Sequence, residues 1–182
     1  MQLRNTYFIL RHGESRSNKE RFVSSWPEKK YNPLTLKGRK QVKQVIKKLK
    51  NIDLIFSSDL LRTKQTAEII AKELDLKINF DKRLREIDTG DLNSKSAKEW
   101  YEYFGNKDRA RKRPVNGENR KDVMNRINNF LKSINKKYKN KRILIIGHGD
   151  ILISFHGIAK SLSVKKTFNL FNEFKNAELR KL

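Results

Sequence analysis

The runs Thr6 to Leu10 (TYFIL), Asp53 to Ser57 (DLIFS) and Arg142 to Gly147 (RILIIG) constrain the fold most, because their apolar residues follow one another without in-out alternation. Strands of this kind are buried on both faces, as in a parallel sheet covered by helices on two sides. A weaker run, Lys77 to Phe80 (KINF), reads as a fourth strand. Helical stripes fill the intervals. Val42, Val45, Ile46 and Leu49 recur at i, i+3, i+4 and i+7, and Thr63, Thr66, Ala67, Ile70, Ala71 and Leu74 form a second stripe. Val123, Ile127, Phe130, Leu131, Ile134 and Tyr138 mark a third, and Ile151, Leu152, Phe155, Ile158, Ala159 and Leu162 a fourth. Each offers one apolar face to a sheet. The alternation predicts an α/β fold, a three-layer α/β/α sandwich with a mostly parallel central sheet.

A length of 182 residues suits one compact domain over 1–182. The polar stretch 88–117 reads as a small insertion or lid, with a short helix around Trp100 to Phe104 and a basic run at 109–113. The aromatics Trp100, Tyr101, Tyr103 and Phe104 fit either a lid over a substrate or a contact that holds the insertion down, with the second reading preferred. The tail from Val164 to Leu182 is expected to add a last strand. With no cysteine, disulfides, thiolate metal sites and a cysteine nucleophile are excluded, and a reducing cytoplasm is the expected setting. The apolar block before Arg11 is too short for a signal-peptide core or a membrane span.

The charge balance, 43 Lys and Arg against 20 Asp and Glu, gives +23 and calls for an anionic partner. It does not choose among nucleic acid, acidic membranes and phosphorylated small molecules. The lysines are spread through predicted helices beside many Asn and Ile, as in GRKQVKQVIKKLK, a pattern that biased codon usage also produces.

The segments just past the strong strands are more selective. Arg11-His12-Gly13 comes after the first, Ser57 to Arg62 (SSDLLR) after the second, and Gly147-His148-Gly149 after the last. Open α/β sheets bind ligands in the crevice beyond the carboxyl ends of their strands, so these distant residues can share one pocket. Glycine beside each histidine lets the backbone approach a ligand, and guanidinium forks match phosphate oxygens. A helix starting near Asp59 would add its own positive end. The residues alone leave open which histidine attacks. His156, eight residues after His148 on an apolar stripe, reads as a packing histidine.

The blocks RHGESRSN (11–18), NPLTLKGRKQ (32–41), SSDLLRTKQTAEII (57–70), LREIDTGDL (84–92), NGENRKDVMNRINNF (116–130) and ILIIGHGD (143–150) occur in the order found in the histidine phosphatase superfamily. The chain resembles its phosphoglycerate-mutase-like branch over nearly its whole length. That resemblance implies a phosphorylated His12, Arg11 and Arg62 holding phosphoryl oxygens, His148 as the second pocket histidine, Asn18 as a phosphate contact and Glu86 as the proton donor. Asp88 and Asp91 are nearby alternatives for the acid. Glu14 and Ser15 are expected to shape the loop after the first strand. Many relatives carry Trp-Glu-Gly where this chain has Leu92-Asn93-Ser94, and aspartate in place of Asn32; both changes are expected at the pocket rim, where they would alter the substrate.

The implied activity is hydrolysis of phosphomonoesters, as by a histidine-type acid phosphatase, with no metal and no cofactor. A phosphorylated small molecule is the expected partner, with nucleic acid a less favoured one and no membrane; oligomeric state is not legible. A cofactor-dependent phosphoglycerate mutase and a protein-phosphohistidine phosphatase are the alternatives. Such mutases carry larger enclosing insertions, and a chain this short leaves water free to reach a phosphoenzyme. From another class comes a basic polyanion-binding protein on an inactive scaffold, which the intact Arg11, His12, Arg62, Glu86 and His148 disfavour.

Overall fold

The computed structural model describes residues 2–105, 110–170 and 174–182. The elements run β1 (Thr6–Arg11), α1 (Arg16–Glu20), α2 (Leu36–Ile46), β2 (Leu54–Ser57), α3 (Leu61–Leu74), β3 (Ile78–Phe80), α4 (Ala97–Phe104), α5 (Arg120–Lys137), β4 (Arg142–Gly147), α6 (Gly149–Ala159), α7 (Val164–Leu170) and β5 (Leu179–Lys181), with two short 3-10 turns before α4.

The described strands form a five-stranded sheet in the order β3-β2-β4-β1-β5. Contacts among β1 to β4 are parallel, and β5 joins the β1 edge antiparallel. The expected last strand is therefore present, but as a short reversed edge preceded by the helix α7.

Successive residues of the apolar strands serve opposite layers. Tyr7, Ile9, Ile143 and Ile145 face the layer of α5 and α6, where Ile127, Phe130, Leu152 and Phe155 meet them. Leu10, Leu144 and Ile146 face α2 and α3 through Val42, Val45, Ala67 and Ile70. Full burial of each large side chain contributes about 1.5–3 kcal/mol, which is why these runs tolerate no polar alternation. Leu49 stays in this core although α2 ends at Ile46.

This winding positions a crevice. In the parallel register of β1 and β4, Arg11 pairs with Gly147, so His12 and His148 leave adjacent strand ends side by side. After β1 the chain runs to α2 on one face, and after β4 it runs to α6 on the other. The gap between the two is the topological switch point at which α/β sheets accept ligands.

Beside the crevice lies the stretch 88–117. Its helix α4 is capped by Ser96 and Glu99, each side chain bonding the other's backbone N–H. Backbone bonds from Val23 to Lys95 (2.8 Å), from Ser94 to Val23 (2.9 Å) and from Ala97 to Arg21 (3.0 Å) tie α4 to the loop after α1. In the expected basic run, Arg109 lies outside the described residues. Lys112 donates to the Tyr103 carbonyl (2.7 Å) and sits over the Tyr103 ring, and Arg113 pairs with Asp122 (2.8 Å). No described helix is long and apolar enough to cross a membrane.

Candidate active site

The two histidines from adjacent strand ends meet edge to face, with ring centroids 5.3 Å apart. His12 is 3 % exposed and His148 fully buried. The imidazole of His12 has a defined tautomer: Nδ1 lies 2.7 Å from the Gly13 carbonyl oxygen, which can only accept, so Nδ1 carries the proton. Nε2 then bears the lone pair, and Arg62 Nε donates to it across 3.3 Å. The ring of His148 is held by Ser58 Oγ, 3.0 Å from Nε2. Its Nδ1 is buried with no partner among the described residues, as is Nε of Arg11.

Arg62, 2 % exposed on the first turn of α3, is fixed on every side. Its Nη1 donates to Ser24 Oγ (3.3 Å) and Glu28 (3.2 Å), and its Nη2 to the Ser24 carbonyl (3.1 Å). Arg11 Nη1 donates to the Phe174 carbonyl. A buried pocket with two guanidinium groups and two partnerless donor or acceptor atoms is short of negative charge, and an anion supplies what it lacks.

The electrostatics stem from this placement. Burial, then Arg62 and Arg11, hold His12 well below the ordinary imidazole value, against the bond to Gly13. Burial and the same cations, with His12 between them in weight, do likewise for His148. Both rings are neutral at pH 7. Burial and the nearby Asp150 raise the carboxyl of Glu86, while the Ile87 N–H, Arg62 and Arg11 oppose the rise. Glu86 lines a cavity of about 520 Å³ together with Arg11, Asn18, Gly149 and Asp150.

The expected residues Arg11, His12, Asn18, Arg62, Glu86 and His148 are thus gathered at one end of the sheet. Asn18 is also structural: its Oδ1 accepts from the Ser15 N–H (3.0 Å) and from Asn176 (3.1 Å), closing the cap of α1. Glu14 and Ser15 are loop-shaping, through Thr35 and Lys37 in one case and Ser17 and Asn18 in the other. Asp88 accepts from the Gly90 N–H and Asp91 from Asn116, so both serve their own turn. His156 stacks on Phe174 with centroids 5.9 Å apart, and burial lowers it to about 4.

Several expectations need correction. The helix expected to start near Asp59 does begin there, at Leu61 of α3, but its first N–H donates to Glu28 (2.8 Å). Asp59 pairs with Arg85. The glycine beside His12 serves packing: a Cβ on Gly13 would lie 2.5 Å from the Gly38 carbonyl oxygen, and one on Gly38 would lie 2.0 Å from that of Glu14. Gly149, with open space at that position, does line the cavity. Asn32 is fully buried behind the cavity residue Ser17; it accepts from the Ser17 N–H (2.8 Å) and donates to Ser24 Oγ (3.0 Å). Asn93 likewise bonds Ser25 and Pro27 from a buried position.

Sequence reasoning missed Glu28, Ser24 and Asp150. Glu28 and Ser24 sit in a polar loop with no periodicity, so no signal marks them. Asp150 stands inside the last block, two residues past His148, with no role that the sequence suggests; in the folded chain Arg120 bonds it at 3.4 Å.

Comparison with known proteins gives concordant results. The chain is 35% identical over 153 residues to the probable phosphoglycerate mutase GpmB of Escherichia coli, covering 78% of this chain and 68% of that protein. The Bacillus stearothermophilus protein YhfR superposes with a TM-score of 0.81 at 28% identity, covering 95% of this chain and 87% of its own. A mycobacterial glucosyl-3-phosphoglycerate phosphatase shares the fold, with a TM-score of 0.85 at 21% identity, covering 97% and 88%. With the family model for histidine phosphatases matching residues 7–182, the chain belongs to the histidine phosphatase superfamily, branch 1.

Proposed function

We propose that this protein hydrolyses phosphomonoesters through a phosphohistidine at His12. The observation that carries the reading is the fixed tautomer: with Nδ1–H engaged by Gly13, the one lone pair of the ring sits on Nε2, beside Arg62. A neutral imidazole so oriented is a competent nucleophile near neutral pH, and a covalent intermediate divides one hard displacement into two easier ones.

In the first step the Nε2 lone pair attacks phosphorus and the bond from phosphorus to the ester oxygen breaks. Glu86, protonated because burial and Asp150 favour its neutral form, gives its proton to the departing alkoxide. Arg11, Arg62, Asn18 and His148 stabilise the charge on the three equatorial oxygens. In the second step the Glu86 carboxylate takes a proton from water, the water oxygen bonds phosphorus, and the P–N bond returns its electrons to His12. Phosphate leaves and both groups are restored. The absence of cysteine accords with a cytoplasmic setting.

Enzyme given a ³²P-labelled monoester and quenched in alkaline detergent should carry base-stable label that acid releases, and His12→Asn should carry none. An unlabelled wild type that still turns over would overturn the reading. The likeness to GpmB favours one second reading, phosphoglycerate mutase, because that relative's name states it. A coupled mutase assay with and without a bisphosphoglycerate primer separates the two.

A further inference from the structure

The cavity lined by Arg11 and Glu86 has two chemically distinct parts. Its polar part includes Arg11, Asn18 and Glu86. Its apolar wall is formed by Phe22, Val23, Ile87, Ala97, Trp100 and Tyr101. At about 520 Å³ the cavity far exceeds what a phosphoryl group needs, so most of it faces the alcohol portion of an ester. Arg21 is the one further cation among its lining residues, and it is exposed, whereas Glu86 and Asp150 bring two carboxyl groups.

The aromatic side of this wall is built in place. Backbone bonds join the 21–23 loop to residues 94–97, which sets Phe22 and Val23 against the start of α4. Within α4, Trp100 packs on Phe104 with centroids 4.5 Å apart, and Phe104 is 4 % exposed, so the Trp100 ring is anchored from behind. Tyr101, 73 % exposed, stands at the mouth. A wall of this composition rewards a flat apolar group and offers little to hold a carboxylate.

We infer that the cavity beside α4 is a leaving-group subsite for phosphomonoesters of uncharged alcohols bearing an aromatic or other flat apolar group, and that it discriminates against esters whose alcohol carries a carboxylate. This rests on the phosphatase reading above and narrows it. Trp100 and Tyr101 supply the apolar contact, and the wall they form with Phe22, Val23, Ile87 and Ala97 offers no buried donor to pair a second anion.

The test uses esters with alkoxides of similar basicity, so that binding and not leaving-group chemistry decides. For the wild-type protein, kcat/KM for 2-phenylethyl phosphate should exceed that for ethyl phosphate by about tenfold or more, with 3-phosphoglycerate the poorest of the three. In Trp100→Ala, and in the surface variant Tyr101→Ala, the ratio of the first two values should fall roughly threefold to tenfold, chiefly through KM. Trp100→Phe should retain most of it. A ratio of two substrates on one preparation does not depend on the fraction of folded enzyme. Equal kcat/KM for the two alkyl esters, a preference for 3-phosphoglycerate, or a ratio unmoved in both alanine variants would overturn this inference and leave the phosphatase reading standing. A protein inert to all three esters and never labelled on His12 would remove both.

Discussion

Arg62 donates its Nε–H to Nε2 of His12 across 3.3 Å, so the guanidinium occupies the nitrogen that would attack phosphorus. A phosphoryl group entering the pocket must take over that bond while Ser24 and Glu28 hold the opposite edge of the guanidinium in place. The same arginine therefore orients the ring before substrate arrives and meets the equatorial oxygens afterwards.

Removing this group should be severe for turnover and mild for folding. Arg62→Ala is expected to lower kcat by roughly 10²–10³-fold, the typical cost of losing one preorganised donor. Arg62→Lys recovers little, because an ammonium cannot bond His12, Ser24 and an oxyanion with one planar fork. Glu28 keeps the Leu61 N–H in either variant, so a cooperative thermal transition should persist. Steady-state kinetics beside a melting curve checks this, and near wild-type kcat in Arg62→Ala would remove the arginine from the mechanism.

Asn32 offers a test one layer further out. It satisfies the buried Ser17 N–H and holds Ser24 Oγ, which in turn receives Arg62. Asn32→Ala strands that N–H and should cost about 1–3 kcal/mol of stability. It should also weaken phosphate binding, because Ser24 loses its anchor. Asn32→Asp keeps an acceptor for Ser17 and should recover most of the stability. Denaturant unfolding of the three proteins, with inhibition constants for inorganic phosphate, reads both effects; an unchanged phosphate constant in Asn32→Ala would break the link from Asn32 to Arg62.

How far the sequence announces these relationships varies with the kind of signal. His12 and His148 are legible because each ends an apolar strand, and strand ends in a parallel sheet converge whatever their separation in the chain. Arg62 is legible by the same placement, just past the second strand, whereas Glu86 enters through resemblance, since a loop glutamate looks like a solvated charge to periodicity alone. Glu28 is invisible: its loop carries no period, and only the folded chain shows it accepting the first N–H of α3. Asn32 and Asn93 are misplaced at the rim because sequence position does not report burial. Gly13 reads as making room for a ligand, whereas the close approach is to Gly38 of α2, a contact between segments about 25 residues apart that no local pattern encodes.

The activity profile with pH reflects two opposed shifts. His12 is held well below its ordinary value, so it stays neutral and nucleophilic as pH falls through the usual imidazole range. Glu86 is raised, so the proton it donates persists above the usual carboxyl range and is lost as pH climbs through the raised value. After correction for the ester's own phosphate titration, kcat/KM should be highest on the acid side of neutrality, with its falling limb on the alkaline side. Glu86→Gln should lose that limb along with most of the rate for alkyl esters, while an ester with a good leaving group such as p-nitrophenyl phosphate suffers less in the phosphorylation step. A descending acid limb centred near 6.5 would show that His12 titrates normally.

The depressed histidines also bear on stability. In the unfolded chain His12 and His148 titrate near 6.5. Folded, both are held well below that by burial first and Arg62 second. Below about pH 6.5 the unfolded state therefore binds protons that the folded state refuses, and folding stability falls as pH is lowered, at up to about 1.4 kcal/mol per pH unit for each ring. The contribution is fully present above the unfolded value and shrinks through the acid range until the folded value is reached. Denaturant midpoints measured from pH 7.5 to 5 should drop: the pair contributes at most about 2.7 kcal/mol per unit, His156, lowered to about 4, adds to the drop, and the raised Glu86 opposes it. His12→Asn, which removes one titrating ring, should flatten the dependence by up to about 1.4 kcal/mol per pH unit. An identical slope in wild type and His12→Asn would mean that His12 takes up its proton over the same pH range folded and unfolded, and would remove the shift ascribed to its burial beside Arg62.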